Sequence, residues 1–309
     1  MIRSKLLIAI LLLAPLVASA APAVESRIVT GAGGVPLQVI ETGPRNAPGI
    51  LFVHGFALSS SSWKLQFESS LADDYHLVAL DLRGHGNSGK PWKLEGYEDS
   101  QLWADDLAAV IKATGLERPV IVAWSYGGHV AMDFMRHYPV ERVAGVVFVG
   151  SSGGMLPWPR LDPAIAAEFG RLAPLAVSAD AGDRLEAARG FVKSMVHAPV
   201  KPALLEQEVA AMLAMPPFAR AGIGARKLDN AALADRLTLP VLFLFGDHER
   251  TVGRNDAEAL AARLPAARVL VYEDSGHMPF LEHPERFDTD LRAFVQSVTR
   301  AVEGGTSRP

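Results

Sequence analysis

The chain has 309 residues, 49% of them hydrophobic and 21% charged, which is enough apolar side chain for a sizeable core. Its formal net charge is −4 with no basic block or tail, so nothing in it favours nucleic acid or an anionic membrane surface. The absence of cysteine excludes a disulfide framework, a thiolate nucleophile and a cysteine-ligated metal.

Arg3 and Lys5 precede the apolar run Leu6–Val17, and Ala18-Ser19-Ala20 follows as a small-x-small cleavage site. This layout predicts a secretory signal peptide over residues 1–20. The mature chain would begin near Ala21, exported to a periplasm or beyond and with no stable membrane anchor after cleavage. The apolar run is short of the ~20 residues a membrane-spanning helix needs. An uncleaved N-terminal anchor is the alternative reading.

Next, Arg27–Thr30 and Val35–Glu41 flank the Gly31-Ala32-Gly33-Gly34 turn and read as a hairpin. Gly49–Val53 and Leu77–Leu80 are continuous apolar runs, as strands buried on both faces of a parallel sheet should be. Asp99 or Ser100 can cap a helix whose Leu102, Trp103, Leu107, Val110 and Ile111 fall at helical spacing, with Gly115 ending it. Val120–Val122 is another buried strand. It runs into Ala123-Trp124-Ser125-Tyr126-Gly127, then a helix that stops at Pro139. A lone serine between small residues at a strand-to-helix turn is the pattern of a nucleophile elbow, with alanine where the first glycine usually stands.

Val143–Val149 is a further strand, after which the periodicity changes. From Ser151 to Leu237 there is no strand-like run, and eight prolines break alanine-rich helical pieces. Residues 151–237 are therefore expected to form a helical lid inserted into a core made of 21–150 and 238–303. The core resumes with Val241–Phe245, a helix near Asn255–Leu264, the strand Arg268–Tyr272 and a helix over Pro284–Val302. Residues 304–309 are expected to be a disordered tail. Alternating strands and helices imply an α/β fold with a mostly parallel eight-stranded sheet and helices on both faces. Ligands bind such sheets beyond the carboxyl ends of the strands. His54, Asp81, Ser125, Glu249 and His277 each follow a predicted strand, so they should gather on one edge.

With these pieces in this order, the sequence resembles the α/β-hydrolase superfamily from about Arg27 to Val302. The resemblance is carried by His54-Gly55-Phe56, Asp81-x-Arg83-Gly84-His85-Gly86-x-Ser88, Trp124-Ser125-Tyr126-Gly127-Gly128, Gly246-Asp247-His248-Glu249 and Gly276-His277. It implies Ser125 as nucleophile and His277 as general base. The acid comes three residues after a strand-ending glycine in this family, which points to Glu249, although aspartate is commoner there. Asp247, one residue after Gly246, is the alternative acid. The backbone N–H groups of Phe56 and Tyr126 would form the oxyanion hole. His54, Asp81, Arg83 and His85 would support the surrounding turns.

The implied activity is a cofactor-free serine hydrolase that cleaves a carboxylic ester, or a lactone, of a small and mostly apolar substrate. Trp124, Phe56, Met155 and Trp158 are candidates for its pocket, and Leu156, Met212, Met215 and Phe218 are further apolar residues of the insertion. No histidine pair has the helical spacing of a metal site and no phosphate-cradling glycine loop follows a strand, so neither metal nor nucleotide is expected. Carbon–carbon hydrolysis, amide or peptide cleavage and perhydrolysis use the same fold, as would a binding protein of low turnover. The oligomeric state is not encoded in any motif.

Overall fold

The computed structural model describes residues 23–156, 163–251 and 254–305. Eight strands form one sheet: β1 (Glu25–Thr30), β2 (Pro36–Thr42), β3 (Gly49–Val53), β4 (His76–Leu80), β5 (Val120–Trp124), β6 (Gly145–Val149), β7 (Val241–Gly246) and β8 (Ala267–Tyr272). Their spatial order is β1-β2-β4-β3-β5-β6-β7-β8. The β1–β2 and β2–β4 pairs are antiparallel and every later pair is parallel. All eight runs expected from the sequence are present, with ends displaced by one or two residues.

The burial pattern explains why those runs were readable. β3, β4, β5, β6 and β7 are buried at every position, because helices cover both faces of the sheet centre. The edge strands β1 and β8 keep most positions at least partly accessible. Phe52, Phe148 and Phe243 are completely buried, and each contributes about 1.5–3 kcal/mol of hydrophobic stabilisation.

Helix α1 (Ser100–Thr114) is capped by the Asp99 side chain, which accepts from the Gln101 N–H, and ends at Gly115 in the left-handed conformation. Helix α2 (Tyr126–His137) starts directly after Ser125. Between β6 and β7 lie α3 (Pro163–Leu175), α4 (Ala181–Ser194), α5 (Pro202–Leu213) and α6 (Pro217–Gly224), with no strand among the described residues of this insertion. α7 (Arg254–Ala261) connects β7 to β8, and α8 (Pro284–Gly305) closes the chain. α8 runs past the expected end at Val302 into the segment expected to be disordered. Residues 1–20, Trp158 and positions 306–309 lie outside the described residues. None of the described helices is long and apolar enough to cross a membrane.

The insertion is tied to the core by buried polar contacts. Glu208 on α5 accepts from the Ser62 hydroxyl (2.7 Å) while its second oxygen has no partner, and Gln207 donates to the Ser61 carbonyl (2.7 Å). Burial raises the Glu208 pKa to about 7, partly offset by the Ser62 hydrogen bond. Folding therefore favours the protonated carboxyl. That stabilisation is complete below the ordinary value near 4.5 and is lost as pH rises through about 7. Glu208→Gln is accordingly expected to raise the melting temperature at pH 8.5, with the gain shrinking towards zero at pH 5. Thermal scans of both proteins across that range check this; a gain independent of pH would contradict it.

Candidate active site

The elbow is built as its sequence demands. Ser125 has φ 52° and ψ −115°, a conformation costing a non-glycine residue about 1–3 kcal/mol. Its neighbours hold it there. The Ser125 N–H donates to the Val149 carbonyl (2.9 Å), and the Ser125 carbonyl accepts from the Gly128 N–H (3.0 Å) and the Ser151 hydroxyl (2.7 Å). Gly127 lies against the Val53 carbonyl, where a Cβ could not fit without shifting backbone. Two other serines that follow strands are engaged otherwise. The Ser151 hydroxyl holds Ser125 itself, and the Ser88 hydroxyl donates to the Asp81 carbonyl (2.5 Å).

His277 lies in the loop after β8, and its Nδ1 is 2.7 Å from Glu249 Oε2. An ionised carboxylate only accepts, so Nδ1 carries the donated proton and Nε2 of the neutral ring keeps its lone pair. Glu249 Oε1 accepts from the Arg250 and Thr251 N–H groups and from the Thr251 hydroxyl, at 2.8, 2.8 and 2.9 Å. Burial alone would raise the Glu249 pKa, but His277 and the Thr251 donors outweigh it and hold the carboxyl below its ordinary value. Gly150 at the end of β6 leaves room for this pair. A Cβ there would meet both His277 Nδ1 and Glu249 Oε2.

Asp247 is elsewhere. It accepts from the Ser275 N–H (3.1 Å), and its side chain is 38% exposed beside His248. The geometry thus joins His277 to Glu249, and Asp247, expected as the alternative acid, instead braces the loop. An offset of one residue from Gly246 leaves Asp247 on the strand's last backbone contacts, short of the turn that carries Glu249 inward.

The Phe56 N–H makes no hydrogen bond among the described residues, and Tyr126 is the first residue of α2, whose N–H has no acceptor within the helix. Both residues line the cavities around Ser125. His54 is hydrogen-bonded into this loop. Its Nδ1 bonds the Gly55 carbonyl (2.7 Å) and its Nε2 accepts from the Leu82 N–H (3.0 Å), which fixes the neutral tautomer. Burial lowers its pKa. Asp81 accepts from the Ser60 and Asn87 N–H groups, both at 2.7 Å, and the buried Arg83 bonds both oxygens of Asp106 (2.7 and 2.8 Å). These hydrogen bonds hold the turns in which Asp81 and Arg83 lie.

Two cavities meet at Ser125. One, of about 580 Å³, is lined by Tyr126, His129, Leu156, Ile223 and Leu228 among others. The second, of about 480 Å³, holds His277 and is walled by Trp124, Phe169, Phe191, Met212 and Arg220. Phe56, Ser125, Gly224 and Thr251 border both. Trp124 is fully buried and donates from its indole to the His277 carbonyl (2.8 Å), so it positions the loop as well as forming wall. Met155 is not a pocket residue. Its side chain is buried in the core, and Gly154 and Leu156 supply the lining on either side of it. Met215 also misses both cavities, and Phe218 stacks on Trp92.

Several supporting residues carried no signal in the sequence. Glu282 accepts from the Ser275 hydroxyl and from the N–H groups of Gly276, His197 and Ala198, while the His277 N–H donates to the Met195 carbonyl. This clamps the insertion onto the histidine loop. Arg226 bonds the Tyr126 hydroxyl and Asp133, joining the insertion to α2. Burial pushes the Asp133 carboxyl up to about 6 despite Arg226. Such contacts join residues far apart in the chain.

A strained serine at the elbow of an eight-stranded, mostly parallel sheet, with a Glu–His pair over the neighbouring strand end, is the architecture of α/β hydrolases. A model of the alpha/beta hydrolase family matches residues 50–289, and the chain belongs to that family. It is 28% identical over 265 residues to a pimeloyl-[acyl-carrier protein] methyl ester esterase of Aeromonas hydrophila, covering 80% of this chain and 95% of that one. A bifunctional esterase/perhydrolase of Acinetobacter calcoaceticus is 38% identical over 123 residues, and that match spans 40% of this chain and 44% of the relative. Among solved structures, a protein assigned as an aryl esterase from Burkholderia cenocepacia superposes with a TM-score of 0.81 at 30% identity, covering 89% of this chain and all of that one. An esterase from a Rhodococcus species gives 0.78 at 30% identity, with 88% and 99% coverage.

Proposed function

We propose that the protein is a cofactor-free serine hydrolase of carboxylic esters. The observation that carries this reading is the His277–Glu249 hydrogen bond at the wall of the cavity that also exposes Ser125. Ser125 Oγ adds to the ester carbonyl as its proton passes to His277 Nε2. The Phe56 and Tyr126 N–H groups and the N-terminal end of α2 face the oxygen that becomes negative. Collapse of the adduct expels the alcohol, which takes the proton from His277 and leaves an acyl-enzyme. Water, deprotonated by the same nitrogen, then attacks the acyl-enzyme, and His277 passes that proton to Ser125 Oγ as the acid is released. Glu249 keeps the proton on Nδ1 and stabilises the imidazolium at each stage.

The esterase activities named for the relatives support ester cleavage, and the apolar walls of both cavities support a small, mostly apolar substrate. Interception of the acyl-enzyme by hydrogen peroxide would give a peracid, the second activity named for the Acinetobacter relative. The test is multiple turnover on short p-nitrophenyl esters, with fluorophosphonate labelling mapped by mass spectrometry. Labelling at Ser88 or Ser151, or a single turnover only, would refute the reading.

The basic, apolar and small-residue layout of residues 1–20 further supports export. N-terminal sequencing of exported protein should find Ala21 or a residue near it; an intact Met1 would establish an uncleaved anchor.

A further inference from the structure

The 480 Å³ cavity has one feature that an apolar ester does not require. Arg220, on α6, lines it among Phe169, Ala173, Phe191 and Met212. Its Nη2 donates to the Met212 carbonyl (3.2 Å), its Nε is buried with no partner, and its Nη1 makes no hydrogen bond among the described residues. The guanidinium carbon lies 5.5 Å from the centre of the Phe56 ring, on the loop offering one of the two free N–H groups beside Ser125. No carboxylate pairs with Arg220 among the described residues, unlike the buried Arg83 and Arg226, which have Asp106 and Asp133. Burial lowers its pKa, and no carboxylate among the described residues is paired with it to raise it. Taking a cation out of water costs several kcal/mol unless an anion answers it.

We propose that Arg220 is a specificity-determining residue that binds a carboxylate on the substrate, so the preferred esters carry an anionic group remote from the scissile bond. This rests on the ester-hydrolase reading and refines its substrate class. The apolar wall suits a short methylene spacer, and the free edge of a planar guanidinium suits a carboxylate. The carboxylate can belong to the acyl part, as in a half-ester of a dicarboxylic acid, or to the alcohol part, as in an O-acyl hydroxy acid. The chemistry at Arg220 is the same for both.

The experiment compares kcat/KM for monoethyl adipate with ethyl hexanoate, and for 4-acetoxybutyrate with butyl acetate, in the full-length protein and in Arg220→Gln and Arg220→Lys. In at least one pair the anionic ester should be preferred about 10-fold or more. Arg220→Gln should reduce that preference by about 10-fold, chiefly through KM, and Arg220→Lys should restore part of it. The pair that responds identifies which side of the ester carries the charge. The proposal is overturned if neither anionic ester is preferred. It also fails if Arg220→Gln slows both members of a pair by the same factor with a lowered melting temperature, since that marks a structural clamp on Phe56. Hydrolysis of any of these esters by Ser125→Ala would instead refute the underlying reading.

Discussion

Ser125→Ala should lower kcat for p-nitrophenyl ester hydrolysis by about 10⁶-fold, to the level left by the oxyanion donors and binding alone. Neither Ser151 nor Ser88 can substitute, because both hydroxyls are committed to backbone carbonyls. The alanine protein should remain folded, because the hydrogen bonds that hold position 125 all use its backbone. Alanine also inherits the strain of φ 52°, whereas glycine does not. Ser125→Gly should therefore be equally inactive yet more stable than Ser125→Ala by about 1 kcal/mol, after the larger unfolded-state entropy of glycine is set against the relieved strain. Steady-state kinetics and thermal melts of the two variants check both statements. Retained turnover in either, or a glycine variant less stable than the alanine one, would show that the elbow is not the strained nucleophile turn described above.

What the sequence disclosed follows from the physics of each feature. The central strands were legible to within a residue or two because burial on both faces forces a continuous apolar run. Gly49–Val53 is an example that coincides with β3. The elbow was legible because a serine flanked by small residues between strand and helix has few other uses. Met155 shows where this stops. An apolar residue in an insertion packs into the core or faces the cavity with the same composition, and only the backbone path past Gly153 and Gly154 decides which. Glu282 and Arg220 were invisible for a different reason. Glu282 reaches His197 and Ala198, and Arg220 lies over Phe56, all distant in sequence, and a charged residue in a helical stretch reads as a solvated face until the fold covers it.

The acid is where sequence and geometry can be set against each other by experiment. Asp247 has the residue type usual for the family, and Glu249 has the usual spacing and the observed bond to His277. Glu249→Gln retains size and can accept the Thr251 donors. It loses the charge, and its amide N–H₂ can face Nδ1, which would turn the imidazole to the tautomer protonated on Nε2. A ring in that state cannot take the Ser125 proton, and kcat should fall by about 10⁴-fold. Asp247→Asn leaves the His277–Glu249 pair intact and alters only a half-exposed brace on the Ser275 amide, so about 10-fold or less is expected. Both proteins should fold, which circular dichroism and melting curves establish before rates are compared. Activity of Glu249→Gln should also recover partly as pH rises, because hydroxide can take the Ser125 proton in place of the wrongly protonated ring. A larger loss in Asp247→Asn than in Glu249→Gln would mean that the bond seen between Glu249 and His277 is not the one used in turnover.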